Sequence, residues 1–187
     1  MQQEISQQMI NLQSEDADVR RDAFLVLLKK TDQPVDWAYE VWNELVKNLR
    51  HKNNHVRAIA AQLLCNLVKS DSENRILQDF DQILAVTKDG RYVTARHSLQ
   101  VIWKVGVPSK EHQALLMQAM EERFRSCVEE KNTTLIRFDI LQGLRNLFDE
   151  VNDENIRKTA QNWISMENDM KYRKKYLSVW KNRKKAN

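Results

Sequence analysis

An aliphatic residue followed by arginine recurs along this chain about every 40 residues, and that period constrains the fold more than any other feature. It occurs as Val19-Arg20 in DVRRDAFLVLL, Val56-Arg57 in HVRAIAAQLLCNL and Ala95-Arg96 in TARHSLQVIWKV. It recurs as Ile136-Arg137 in LIRFDILQGLRNL and Ile156-Arg157 in NIRKTAQNWI. The arginines are 37, 39, 41 and then 20 residues apart. A fixed period of roughly 20–50 residues marks stacked repeats rather than one closed core.

The residues around each arginine repeat as well. Three positions after it stand Ala23, Ala60, Leu99, Ile140 and Ala160, and seven after it Leu27, Leu64, Trp103, Leu144 and Ile164. With the aliphatic residue before the arginine, these fall within about 80° of one another on a helix. The positions one and five after it hold Arg21, Ala58, His97, Phe138 and Lys158, then Leu25, Gln62, Val101, Gln142 and Asn162, a mostly polar face. Each arginine therefore marks an amphipathic helix with one buried side. The stretch DGRYVTARHSLQVIW (89–103), dense in groups able to do chemistry, falls under the same pattern. Arg96 is its repeat arginine, Leu99 and Trp103 its core, and His97 points outward.

A second helix fits before each of these. PVDWAYEVWNELVKNLR (34–50) opens on a proline, favoured in a first helical turn. SENRILQDFDQILAVTK (72–88) follows capping residues, and PSKEHQALLMQAMEERFRSCVEEK (108–131) follows the breakers Gly106 and Pro108. The first 13 residues form a shorter leading helix. Three glycines and two prolines are too few for a strand-and-turn fold. A single helix pair cannot cover its own apolar stripe, so neighbouring pairs must stack.

The pattern resembles HEAT repeats, helix pairs whose second helix begins near Asp-x-x-Val-Arg-x-x-Ala. DADVRRDA (16–23) matches this motif, and NNHVRAIA (53–60) departs from it at Asn53. The resemblance implies an all-α, right-handed superhelix of about four helix pairs plus a C-terminal capping helix. Residues 1–168 then form the repeat domain and 169–187 a basic-aromatic C-terminal helix or tail. It also implies that aspartate and arginine tie neighbouring repeats in a ladder. Only Asp16 with Arg20 keeps both members in register; Asn53 and Thr133 stand in place of the aspartate elsewhere, and Asp89 enters through Gly90. A broken ladder is the expectation. The second helices would line a concave surface, with Arg21, Gln62, His97, Lys104, Phe138, Gln142 and Arg145 facing out and Arg91 and Tyr92 extending a basic-aromatic strip.

The C-terminal segment KYRKKYLSVWKNRKK (171–185) carries eight Lys or Arg and no acid. The rest of the chain has 22 basic residues against 26 acidic, so the net charge of +4 comes from this segment. Tyr172, Tyr176 and Trp180 form one helical stripe, suited to capping the last pair or to stacking on bases. Lys171, Arg173, Lys174 and Lys175 add the charge that an anionic partner, above all nucleic acid, would meet.

Signals of catalysis are absent. There is no P-loop, GxGxxG or GxSxG, and HKNNH (51–55) lacks the glutamate of a zinc-protease motif. No metal or other cofactor is expected. Cys65 and Cys127 lie in amphipathic patterns, as reduced, buried thiols. No apolar run reaches the ~18 residues of a membrane span, and no signal peptide is evident, so the chain reads as soluble and cytoplasmic. Trp37, Trp42, Trp103, Trp163 and Trp180, with Asp22 and Asp139, bring in a distant resemblance to HEAT-like alkylpurine DNA glycosylases. No Trp-Asp-Arg constellation matches residue by residue. The sequence thus points to a non-enzymatic scaffold for a protein or peptide partner, with nucleic-acid binding, or less readily base excision, as the alternatives. It leaves the oligomeric state open.

Overall fold

The second helices of the first two pairs each begin at a capping side chain, Asp16 and Asn53. The computed structural model describes residues 3–181, which contain no strand. Arg20 lies in α2 (Ala17–Lys30), Arg57 in α4 (Asn54–Leu67), Arg96 in α6 (Tyr92–Leu99) and Arg137 in α8 (Thr133–Val151). The Asp16 carboxylate accepts from the amides of Asp18 and Val19 at 2.8 and 3.3 Å, and Asn53 Oδ1 accepts from His55 N at 2.9 Å. Each such cap stabilises its helix by about 1 kcal/mol.

The first helices are α1 (Gln3–Asn11), α3 (Ala38–Asn48), α5 (Arg75–Val86) and α7 (Lys110–Ser126). The start of α5 is held by Asp71, whose carboxylate accepts from Arg75 N at 3.0 Å and Ile76 N at 2.7 Å. A fifth pair, α9 (Glu154–Ser165) and α10 (Met170–Val179), follows these four. The second helices pack in sequence, α2 on α4, α4 on α6, α6 on α8 and α8 on α10. The result is an all-α superhelix with one core running from Ile5 to Trp180.

Two registers differ from the sequence expectation. The helix of the third pair stops at Leu99, and the chain continues as a 3-10 turn over Ile102–Gly106. Leu99, Ile102 and Val105 are all buried, at the three-residue spacing of that tighter helix. Trp103, expected in the core slot, is only half-buried, because the change of pitch gives its place to Ile102. Gly106 ends the turn hard against the next pair. A Cβ there would lie 2.8 Å from Leu116 Cδ2 and 3.0 Å from Leu147 Cδ2.

The second difference concerns the fifth arginine. Arg157 lies exposed in α9 and pairs with Glu154 of the same helix at 2.6 Å. The arginine in register is Arg173, 36 residues after Arg137 and four after Asp169, as Arg20 is four after Asp16. Asp169 caps α10 by accepting from Lys171 N at 2.7 Å. Tyr176, three after Arg173, is fully buried, and Trp180, seven after, is 9% exposed. The aromatic stripe of the C-terminal segment is thus the repeat core of α10. Arg183, Lys184 and Lys185 lie outside the described residues.

Candidate interaction surface

The repeat arginines tie down the loop entering their own helix, or the next repeat, and Arg57 does both. Arg20 donates to Ser14 O at 2.6 Å, and Arg57 to His51 O and Lys52 O at 2.7 and 3.1 Å, so each staples the loop entering its own helix. From the second pair onward the repeat arginine reaches into the next repeat. Arg57 meets Asp89 at 2.6 and 2.9 Å, Arg96 meets Asp139 at 2.9 Å, and Arg137 meets Glu167 at 3.0 Å. A ladder runs from the second pair to α10, where the sequence expectation is of broken rungs. Its acids come from other positions: the loop before α6, the body of α8 and the loop before α10. Burial disfavours ionisation of Asp89, but hydrogen bonds from the Arg57 guanidinium and the Arg91 amide prevail and bring its pKa below the usual carboxylate value.

A second chain of polar contacts crosses the other ends of these helices. Lys104 Nζ donates to Asn66 Oδ1, Asn66 Nδ2 donates to Thr31 Oγ1 at 2.8 Å, and Thr31 donates to Leu27 O at 2.9 Å. It links the third pair to the second and the second to the first. Asn66 and Thr31 are buried, so each contact is one that burial requires. Neither residue stands out in the sequence.

These contacts sort the expected surface residues. Arg21, Arg91 and His97 are exposed, whereas Gln62, Tyr92, Lys104, Phe138, Gln142 and Arg145 are half-buried. Gln62 turns back to Ala58 O at 3.1 Å, and Gln142 donates to Asn146 Oδ1 at 2.9 Å. Arg145 pairs with Asp149 at 2.8 Å and lies over the rings of Phe148 and Trp180. Tyr92 packs on the core with its hydroxyl buried. On α8, Lys175 lies over Phe138, 4.7 Å from the ring centre. The second-helix face is thus most open on α2, where Leu25 is 52% exposed beside Arg21, and at α6, where Arg91 and His97 are exposed. Between them α4 is the most deeply packed helix, covered by α2 and α6.

On α10, Tyr176 donates its hydroxyl proton to Thr134 O at 3.1 Å, and Tyr172 is half-buried with Lys171 above it. The rings therefore face α8. The cations Lys171, Arg173, Lys174, Lys175 and Lys181 form no ion pair with any described residue.

Asp139 is taken up by Arg96, and Trp42 and Trp163 are buried. Burial pushes the Cys65 thiol up to about 12, partly offset by Lys104, and burial raises Cys127 as well. Among the described residues no three His, Cys, Asp or Glu side chains gather to hold a metal, and no helix is long and apolar enough to cross a membrane.

No protein-family model and no curated protein matches the sequence. Solved structures do resemble the fold. A crystal structure of an engineered protein superimposes with a TM-score of 0.57 at 14% identity, over 96% of this chain and 79% of that one. A second engineered protein gives 0.52 at 14% identity, over 94% of this chain and 77% of that one. A designed armadillo repeat protein gives 0.50 at 13% identity, over 94% of this chain and 98% of that one. The fold is an armadillo- and HEAT-like α-solenoid. At these identities the likeness is one of fold.

Proposed function

We propose that the chain is a non-enzymatic repeat scaffold that binds an extended segment of a protein or peptide along the concave face of its second helices. The observation that carries this reading is the division of labour on those helices. The ladder and the Thr31–Asn66–Lys104 chain fix the row of helices from within, while Arg21, Leu25, Arg91, His97, Phe138 and Gln142 remain at the surface. A rigid surface of mixed polar, cationic and apolar groups suits an extended partner. A photo-crosslinking amino acid at His97 or Gln142 should capture a protein in native extracts, and one at Gln118 on the exposed side of α7 should not. Equal yields from both faces, or none from either, would reject the reading.

A second reading concerns α10, whose cations have no ion-pair partner among the described residues and whose sequence from Met170 to Lys181 has no acid. This favours contact with an anionic surface such as a nucleic-acid backbone, through charge, because the rings are turned inward. Replacing Lys171, Lys174, Lys175 and Lys181 by glutamine should flatten the salt dependence of such binding, with a slope lower by about 0.7–0.9 for each phosphate no longer neutralised. An unchanged slope, measured by anisotropy on labelled DNA and RNA, would remove this reading.

A further inference from the structure

At the C-terminal ends of α4 and α8, beside the 3-10 turn, lies a cavity of about 160 Å³. Its walls are mainly apolar, from Val68, Trp103, Val107 and Pro108. An apolar cavity of about 150 Å³ accepts one benzene-sized group, so there is room here for one aromatic ring or branched aliphatic side chain. The break in the third pair creates the space. It places the Trp103 ring at the wall instead of in the core, and Val107, at the mouth, is partly exposed.

The polar groups of this cavity are few. Lys104 has three N–H donors and gives one to Asn66, with its ammonium 6.0 Å from the Trp103 ring centre. Lys69, more exposed, donates to Asp32 O at 2.9 Å. Glu150 stands exposed at the wall, and the Asp32 carboxylate acts on Lys104 from farther off. Burial lowers the pKa of Lys104 and repulsion from Lys69 lowers it further; Cys65 and Asp32 offset this only in part. An ammonium in that position gains from an added anion.

We propose that this cavity is the anchor site for the partner, taking one ring-sized apolar side chain whose adjacent residue presents a carboxylate to Lys104 and Lys69. This rests on the scaffold reading and gives the partner its chemistry, an acidic segment with an apolar anchor. Apolar volume supplies the pull and the two ammonium groups supply the selection for charge.

The test is an amide and indole NMR titration of the full chain with three probes: 3-phenylpropionate, its isostere 3-phenylpropylamine, and a blocked Gly-Phe-Glu-Gly peptide. Phenylpropionate is expected to move the Trp103 indole and the Val68 and Val107 amides with a millimolar dissociation constant. The amine should bind at least about tenfold more weakly, and the peptide should move the same signals. Val107→Trp, which fills the mouth, should abolish the shifts, and Lys69→Gln should weaken acid binding without touching the core. Equal response to acid and amine, shifts that survive Val107→Trp, or a peptide that leaves these signals unmoved would overturn the proposal. A partner crosslinked at His97 or Gln142 while all three probes fail would sink the anchor site and leave the scaffold reading standing.

Discussion

Arg57 grips both carboxylate oxygens of Asp89, at 2.6 and 2.9 Å, while its remaining nitrogen holds the loop carbonyls of His51 and Lys52. One side chain thereby fixes its own repeat and its neighbour. The side chains of the pair are 21% and 6% exposed, so removing one partner strands a largely buried charge. Arg57→Met should cost about 2–4 kcal/mol, less than for a fully buried pair because Arg57 keeps some contact with water. Asp89→Asn should cost less, and the double variant should recover part of the sum. Urea unfolding at neutral pH measures all three. Additive losses would mean that the two residues act separately.

The same pair fixes the response to acid. The folded pKa of Asp89 lies below its unfolded value, so its contribution is complete above about pH 4 and is lost as pH falls through the folded pKa. Asp153 behaves alike, because Lys110 donates to it at 2.5 Å and lowers its pKa. Stability should therefore hold level from neutral pH down to about pH 4 and then drop. Asp89→Asn should be less stable at neutral pH and should lose less below that point. Parallel curves for the two proteins would contradict this.

The helix pairs and the buried positions beside each arginine were legible because they depend on local sequence: Ala23, Leu64 and Ile140 sit where the period places them, and Asp71 holds the start of α5 as its place before that helix implies. The ladder was not legible. Asp89, Asp139 and Glu167 share no register with the arginines they meet; what they share is proximity in the stack. Alignment on an aliphatic residue before arginine also hid Arg173, which follows Tyr172. Alignment on Asp-x-x-x-Arg would have found Asp169 and Arg173 and assigned Tyr176 to the core. Of the surface, the exposure of Arg21, Arg91 and His97 could be read, but not the cavity. It depends on a change of helix pitch after Leu99, with no glycine or proline before Gly106 to announce it.

That assignment changes how the basic segment should be tested. Tyr176 is fully buried against α8, so cutting the chain at Asp169 uncovers the apolar side of α8. Tyr176→Ala should cost about 3–5 kcal/mol, and Tyr176→Phe about 1 kcal/mol for the hydroxyl given to Thr134. The truncated chain should be less stable still and should bind a hydrophobic dye. If it unfolds at the same urea concentration as the full chain, α10 is not part of the core. Loss of nucleic-acid binding on truncation would mix loss of charge with loss of packing; the lysine-to-glutamine variants separate them.

The two thiols report on how far the stack acts as one unit. Burial pushes the Cys65 thiol up to about 12, so it stays protonated and shielded near neutral pH, and Cys127 is buried with its thiol donating to Phe124 O at 3.4 Å. Both should resist a thiol-specific reagent in the native protein and react fully once it unfolds. Cys65 lies in α4, on the same helix as Arg57, whereas Cys127 follows α7, two pairs further on. In a stack held by nearest-neighbour contacts, loosening one rung opens the adjacent repeats first. Arg57→Met should therefore speed the labelling of Cys65 more than that of Cys127, measured by mass spectrometry of the labelled peptides over time. Equal acceleration at both would show that the pairs open together, with the ladder acting on the stack as a whole.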